Sequence, residues 1–437
     1  MKVLVVGSGG REHALCWKFR QSPQLEELYC APGNPGIARI ADPVPIPADE
    51  THQLADFAAE LQIDLTVVGP ELPLTFGIAD EFAGRGLALF GPRQQAADLE
   101  ASKVFAKELM RRHDIPTADF AIAHDAEEAR RAAARFGFPV VLKADGLTAG
   151  GGTAICRAAG ELEAAVQSFF EDRRFGTAGE RVVVERFLSG QEVTFLALCD
   201  GERTLPIAPT KGYKRLLKND EGPHTAGMGA HCPAGVLASG AAADVHDRIV
   251  RPVVQAMADE NRSFVGVLCI DLTLTAEGPR VLEFNVRFGD PDAQAVLLRL
   301  ENDLLPILAA GAAGRFNAGR LRFRKEASAC VVLASKGYPD KPIRGEEIEG
   351  LAAAARNEGV EIFHAGTGVK DGRLVAAGGR VIDVCATGPQ LRDALKRAYT
   401  AAAAIHWPSK ILRFDIGREV LTNAAGAAAS PRGPGPI

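Results

Sequence analysis

The first hundred residues alternate short apolar runs with stretches whose apolar residues recur at helical spacing. KVLVVG (2–7), LYCAP (28–32), DLTVVGP (64–70) and LALFGP (87–92) read as strands. REHALCWKFRQS, DETHQLADFAAELQ and GIADEFAGR, lying between them, read as helices. Strand, helix, strand at this pitch means βαβ units and a parallel sheet. The Gly-Pro and Pro-Gly breaks after the strands put turns at the carboxyl edge of that sheet, where such sheets bind ligands.

Beyond residue 100 the pattern changes. Residues 101–117 read as one helix, with Ser102 as N-cap and Pro116 as the stop. FGFPVVLKADG (136–146) is a buried strand ending in polar residues, TAIC (153–156) is another strand, and ELEAAVQSFFEDR is helical. RVVVERFLSGQEVTFLALCDG (181–201) reads as two strands around a turn. FVGVLCIDLTLT (264–275) and PRVLEFNVRFGD (279–290) form a hairpin that turns at Glu277 and Gly278. DAQAVLLRLENDLLPILAAGAAG is helical, and a strand-rich region runs from ASACVVLASKGYP to about residue 420. The low-complexity end, NAAGAAASPRGPGPI, is expected to be a disordered tail.

Length and composition narrow the class. A chain of 437 residues accommodates about three domains. With 47% hydrophobic and 24% charged residues it is an ordinary globular protein. Lys plus Arg number 50 against 55 Asp plus Glu, a net charge of −5, so a nucleic-acid footprint is not expected. A phosphate-bearing ligand must be met by local cations and backbone N–H groups. No apolar run reaches the roughly 18–20 residues of a membrane helix, and the N-terminal run is too short for a secretory signal. The eight cysteines are dispersed with no C-x-x-C pair. They are expected as core thiols in a reducing cytoplasm, not as a zinc site.

Five segments carry candidate chemistry. VVGSGGREH (5–13) is strand, glycine turn and helix start, an arrangement that suits an anion or simply a tight turn, with Arg11 as an added cation. It is not the dinucleotide fingerprint, because the third glycine position is Glu12. KADGLTAGGGT (143–153) spaces its glycines like a phosphate loop, but Gly152 stands where the lysine belongs and a strand follows. It suits a glycine flap over phosphates with Lys143 as the cation, or a flexible hairpin tip. In VVVERFLSGQE (182–192), Glu185 and Glu192 flank an apolar stretch that could face a nucleoside, or could be solvated.

VLEFNVRFGDPDAQ (281–294) places Glu283, Asn285 and Arg287 on one strand face by the period of two. Two oxygen donors at that spacing suit Mg²⁺ beside substrate phosphates, and Arg287 suits a transferring phosphoryl group. Asp271 on the paired strand is a further candidate carboxylate. The segment KGYKRLLKNDEGPHTAGMGAHCP (211–233) reads as a long cationic loop expected to hold substrate.

These segments together resemble the ATP-grasp ligases, most closely the phosphoribosylamine–glycine ligase family of purine biosynthesis. VGSGGREHAL, APGNPGIA, VGPELPL, LEASK, KADG, EGPHTAGMGA, EFNVRFGDP and GGRV carry the resemblance along nearly the whole chain. It implies an α/β and α+β multidomain protein with an ATP-grasp fold. The parts would be a parallel, Rossmann-like α/β substrate domain at 1–100, an ATP-grasp domain at 101–325 with a small clamp subdomain at 118–190, a β-rich C-terminal domain at 326–420, and a tail at 421–437. It implies ATP with Mg²⁺ or Mn²⁺, activation of an amino acid as an acyl phosphate, and transfer to a phosphate-bearing acceptor. The partners would be small molecules, without nucleic acid or membrane, and the chain a monomer or homodimer.

By position, the resemblance assigns Lys103, Lys143, Gly150, Gly151, Gly152, Glu185, Phe187, Leu188 and Glu192 to ATP, and Glu283 and Asn285 to the metal. It assigns Arg287, Lys143 and Asp290 to the reacting centre. Gly9, Gly10, Arg11, Glu71, Lys211, Lys214, Gly227, Gly229 and Arg287 fall to the substrates. The chain departs from the family pattern where Gly151 replaces a flap lysine, Gly212 an aspartate, His224 an asparagine, Ala226 a glycine, His231 a tyrosine and Asp292 a glutamate. The departures cluster around the acceptor and amino acid. The alternative expectation is therefore a specialised paralogue that joins another amino acid to a different phosphate- or phosphonate-bearing acceptor.

Overall fold

The computed structural model describes residues 1–148, 151–236 and 240–422. Gly150 and residues 423–437, most of the expected tail, lie outside the described residues, whereas Leu421 and Thr422 are helical.

Lys2–Gly7 is the centre of a five-stranded parallel sheet ordered Asp42–Pro43, Glu27–Pro32, Lys2–Gly7, Leu65–Val68, Leu89–Phe90. Val3 to Val6 are wholly buried on both faces. That is why the strand reads as a continuous apolar run and not as an alternation. The order reverses beside Lys2–Gly7, which puts the glycine turn at Gly7–Gly10 at the switch point.

Two helices lead out of this sheet. Gln94–Ala101 ends at Ser102, whose hydroxyl accepts from Phe105 N at 3.0 Å and starts Lys103–Arg112. Asp145 of the KADG segment accepts from Ser102 Oγ (2.8 Å) and Val104 N (3.0 Å), which fixes Lys103 beside the glycine flap.

Two antiparallel four-stranded sheets follow. One is ordered Phe120–Ala123, Val182–Arg186, Val140–Ala144, Thr153–Cys156; the other Thr204–Pro206, Gln191–Asp200, Val265–Thr275, Gly278–Asn285. The two strands expected to turn on each other in 181–201 therefore belong to different sheets. Residues 187–190 cross between them, and at Gly190 a Cβ would meet Leu274 O at 2.3 Å, so the crossing is too tight for a side chain.

The C-terminal sheet recruits strands from the centre of the chain. Its order is Lys211–Gly212, Gly229–Cys232, Ala327–Ser335, Arg380–Gly388, Val360–His364, with Lys410–Ile411 on Ala327–Ser335. The segment 211–233 is thus not a long loop. Its ends pair into this sheet and its middle closes the small hairpin Arg215–Leu217 with Glu221–His224, which satisfies its backbone groups. The expected single helix after residue 291 is two, Asp292–Leu297 and Leu304–Ala312, the second capped by Asp303. No helix among the described residues is long and apolar enough to cross a membrane.

Candidate active site

The sheets and the N-terminal domain converge on a cavity of about 330 Å³. Of the anticipated residues, Glu71, Lys103, Gly152, Lys214, Gly227, Glu283, Asn285, Arg287 and Asp290 border it.

Its floor is the hairpin Val265–Thr275 with Gly278–Asn285, in which Asp271 pairs with Glu283 and Cys269 with Asn285. Phe284, Val286 and Phe288 fill the core on the opposite side, so Glu283 and Asn285 face outward together. Regular strand ends at Asn285, yet Arg287 still reaches the cavity. Lys214 Nζ donates to Asp271 Oδ2 at 2.5 Å and to Glu283 Oε1 at 3.0 Å, and Lys103 Nζ stands 3.6 Å from Glu283 Oε2. Burial opposes the charge on Glu283, but Lys214, Lys103 and Lys143 hold its carboxyl well below the usual range. Asn285 Nδ2 donates to Asp271 Oδ2 at 3.2 Å, which leaves the amide oxygen for a ligand. Asp271 is already engaged, because Thr194 donates to its other oxygen at 2.8 Å. It orients Asn285 and Lys214 and is not a free third carboxylate. A carboxylate and an amide oxygen are hard donors, a set that fits Mg²⁺ or Mn²⁺.

Arg287 is held by two carboxylates that reach in from the N-terminal side. Its Nε donates to Glu71 Oε2 at 3.1 Å, and its Nη2 lies 3.6 Å from Glu100 Oε1. Glu100 also accepts from Val286 N at 2.7 Å. Burial opposes the charge on Glu71, yet Arg287 and Arg11 hold its pKa down at about 2. Burial pushes the Glu100 carboxyl up. Nothing in the local sequence marks Glu100 for a role beyond its position within LEASK.

Lys143 and Glu185 meet beside the cavity and not in its lining. Lys143 Nζ donates to Leu282 O at 2.8 Å and stands 3.2 Å from Glu185 Oε1. Lys107, also missed, stands 3.2 Å from the same oxygen and is buried. Burial lowers its ammonium to about 8. Two lysines on one carboxylate leave surplus positive charge, one residue along the strand from Glu283. Phe187 and Leu188 are half-buried in the crossing and Glu192 is exposed; none borders the cavity.

In the flap, Gly152 N donates to Thr148 Oγ1 at 3.0 Å and its carbonyl accepts from Ala144 N at 2.8 Å. A Cβ at Gly152 would meet Thr148 Oγ1 at 2.3 Å, whereas at Gly151 the nearest atom among the described residues would be Thr148 O, 3.7 Å away.

Several anticipated substrate residues lie elsewhere. Gly9 N is taken by the Glu12 carboxylate, so the chain's own anion caps the helix Gly10–Phe19. Arg11 is buried, donating to Glu12 Oε1 (2.7 Å) and Phe288 O (2.9 Å), and is no open cation. A Cβ at Gly10 would overlap Asp383 Oδ2 at 1.8 Å. Lys211 pairs with Glu419 at 3.5 Å, away from the cavity lining. Gly229 sits in the C-terminal sheet, where a Cβ would meet Ile416 Cδ1 at 2.7 Å and Cys330 O at 2.8 Å, so its smallness serves packing. Asp290 borders the cavity but is gripped by Arg380 and by Gln294, which donates at 2.7 Å. Gln294 also donates to Asp383 at 2.8 Å, and burial pushes that carboxyl up to about 7.

Three family models cover the chain in order. Phosphoribosylglycinamide synthetase N domain matches residues 1–100, the ATP-grasp (A) domain of the same family 101–293, and its C domain 328–419. The chain belongs to the phosphoribosylglycinamide synthetase family. It is an ATP-grasp ligase. It is 44% identical over 417 residues to the phosphoribosylamine–glycine ligase of Brucella melitensis, covering 95% of this chain and 97% of that one. It is 45% identical over 421 residues to the same-named protein of Agrobacterium fabrum, covering 96% and 99%. The crystal structure of the Thermotoga maritima phosphoribosylamine–glycine ligase superimposes with a TM-score of 0.81 at 31% identity, covering 95% and 100%. The Hydrogenobacter thermophilus biotin carboxylase domain, at 18% identity and a TM-score of 0.70, shares the fold.

Proposed function

We propose that this chain joins glycine to phosphoribosylamine at the expense of ATP, as its relatives are named for doing. ATP transfers its γ-phosphoryl group to the glycine carboxylate, leaving ADP and glycyl phosphate. The amine of phosphoribosylamine attacks the carbonyl carbon, an amide forms, and inorganic phosphate leaves. The observation that carries this reading is the grouping of Glu283, Asn285, Lys103, Lys214 and Arg287 around one cavity. That is an oxygen-donor pair set among fixed cations.

Such an arrangement suits phosphoryl transfer, where catalysis is mostly positioning and charge stabilisation. Glu283 and Asn285 would hold Mg²⁺ or Mn²⁺, which when bound neutralises charge on the triphosphate. Lys103 and the Lys107–Lys143 pair would favour the phosphates, and Gly152, which lines the cavity, would offer backbone to them. Arg287, fixed by Glu71 and Glu100, needs no reorganisation to face the charge that develops on the transferring group. All eight cysteines are buried and free, which suits a reducing cytoplasm.

The alternative of a different substrate pair gains no support from the relatives, whose 44–45% identity extends over about 95% of the chain. The test is ADP release by the purified protein with ATP and Mg²⁺. Release that requires both glycine and phosphoribosylamine is the expected result; release with neither, or with another pair only, would contradict it.

A further inference from the structure

Six carboxylates border the cavity: Glu71, Glu100, Asp271, Glu283, Asp290 and Asp292. Five of them sit within 4 Å of a cation, Glu71 and Glu100 with Arg287, Asp271 and Glu283 with Lys214, Asp290 with Arg380. Asp292 has no cationic partner among the described residues. Its one hydrogen bond is neutral, from Thr210 Oγ1 to Oδ1 at 2.5 Å, and its exposure is 8%. A carboxylate withdrawn from water is costly without a counter-charge, so this position is balanced when a ligand supplies one.

Gly212 lines the same cavity as Asp292. Gly212 faces Asp292, and a Cβ there would make ordinary van der Waals contact, 3.6 Å from Oδ1, 3.8 Å from Oδ2 and 4.0 Å from Thr194 Oγ1, with nothing nearer among the described residues. The backbone at Gly212 would tolerate a side chain, yet none is present.

We propose that Asp292 receives the ammonium group of the amino-acid substrate, and that Gly212 keeps the space before it free. This rests on the reading that the amino acid's carboxylate is phosphorylated in this cavity. The zwitterion then finds a cation, Arg287, for one end and an anion, Asp292, for the other. An acid without an amine finds only the first. Burial, with the Asp271 charge nearby, pushes the Asp292 carboxyl up to about 6 in spite of the Thr210 hydrogen bond and the more distant charges of Lys214 and Arg287.

The test uses Asp292→Asn, which keeps the Thr210 hydrogen bond and the shape and removes the charge. Acyl phosphate is trapped with hydroxylamine, so that formation of the hydroxamate from glycine or from acetate is followed without the acceptor. The variant should raise the KM for glycine on the order of 100-fold. It should change the KM for MgATP by less than about threefold. The preference for glycine over acetate should collapse. Unchanged glycine KM and unchanged preference would overturn the proposal.

If Asp292→Asn does not fold, Gly212→Val decides. Filling the space should raise the glycine KM on the order of tenfold with MgATP unaffected, and an unaltered glycine KM would overturn the proposal. If the wild-type protein itself forms no glycine hydroxamate, and releases no ADP with glycine and phosphoribosylamine, the underlying reaction is wrong. That result is distinct from a failure of Asp292 alone.

Discussion

Arg380 donates from both terminal nitrogens to Asp290, each at 3.1 Å, and so ties the C-terminal sheet to the loop that follows Arg287. Burial opposes the Asp290 charge, and Arg380, followed by Arg11, holds its carboxyl below the ordinary range. Arg380→Gln should leave that carboxylate buried without its ion-pair partner, held only by the Gln294 hydrogen bond, at a cost of about 3–5 kcal/mol. Denaturant unfolding measures it. A loss below about 1 kcal/mol would mean that water or another group already compensates Asp290.

Glu100 is placed to affect the reaction through Arg287, whose Nη2 lies 3.6 Å from it. Glu100→Gln keeps the acceptor for Val286 N and removes one of the two charges that orient the guanidinium. The kcat should fall about 10–100-fold while the KM for MgATP stays within about threefold. Equal losses in both, or a kcat that is unchanged, would leave Glu100 a structural residue only.

The fold was largely written in the pattern of apolar positions, and the site only in part. KVLVVG reads as a strand from its continuous apolar run, and Glu283 with Asn285 reads as one face from the period of two along a strand. What a local pattern does not carry is the partner. Nothing in VVVERFLSGQE says that its two strands join different sheets, since the separation is enforced by Leu274 pressing on Gly190. Arg11 looked like a spare cation because Phe288, which occupies it, is hundreds of residues away in the chain. Lys107 and Glu100 look like ordinary helix residues until the fold buries them against Glu185 and Arg287.

Three buried imidazoles make stability depend on pH. Burial lowers His13 from 6.5 to about 3, and His231 and His364 from 6.5 to about 4. Below pH 6.5 the unfolded chain takes up protons that the folded chain refuses, so stability falls as the pH drops from 6.5 to about 4, and further for His13. Each imidazole contributes up to about 1.4 kcal/mol per pH unit. Melting temperature across this range should decline steadily, and His231→Asn should decline less steeply. A flat profile would contradict neutral burial.

Gly151 has room for a side chain. With the nearest atom among the described residues 3.7 Å from a Cβ, Gly151→Lys should fit without displacing Thr148 or Phe175 and add a cation beside the cavity. The KM for MgATP should fall about threefold to tenfold, more at low salt. A higher KM would show that the flap does not close over the nucleotide.

An acyl phosphate formed at this cavity would pass one carboxylate oxygen to phosphate, and oxygen-18 reports that transfer directly. With glycine labelled in its carboxylate oxygens, ATP, Mg²⁺ and phosphoribosylamine, phosphate released by the purified protein should carry one labelled oxygen per turnover. Amide product formed alongside phosphate free of label, the lost carboxylate oxygen having gone to AMP or water instead, would contradict it.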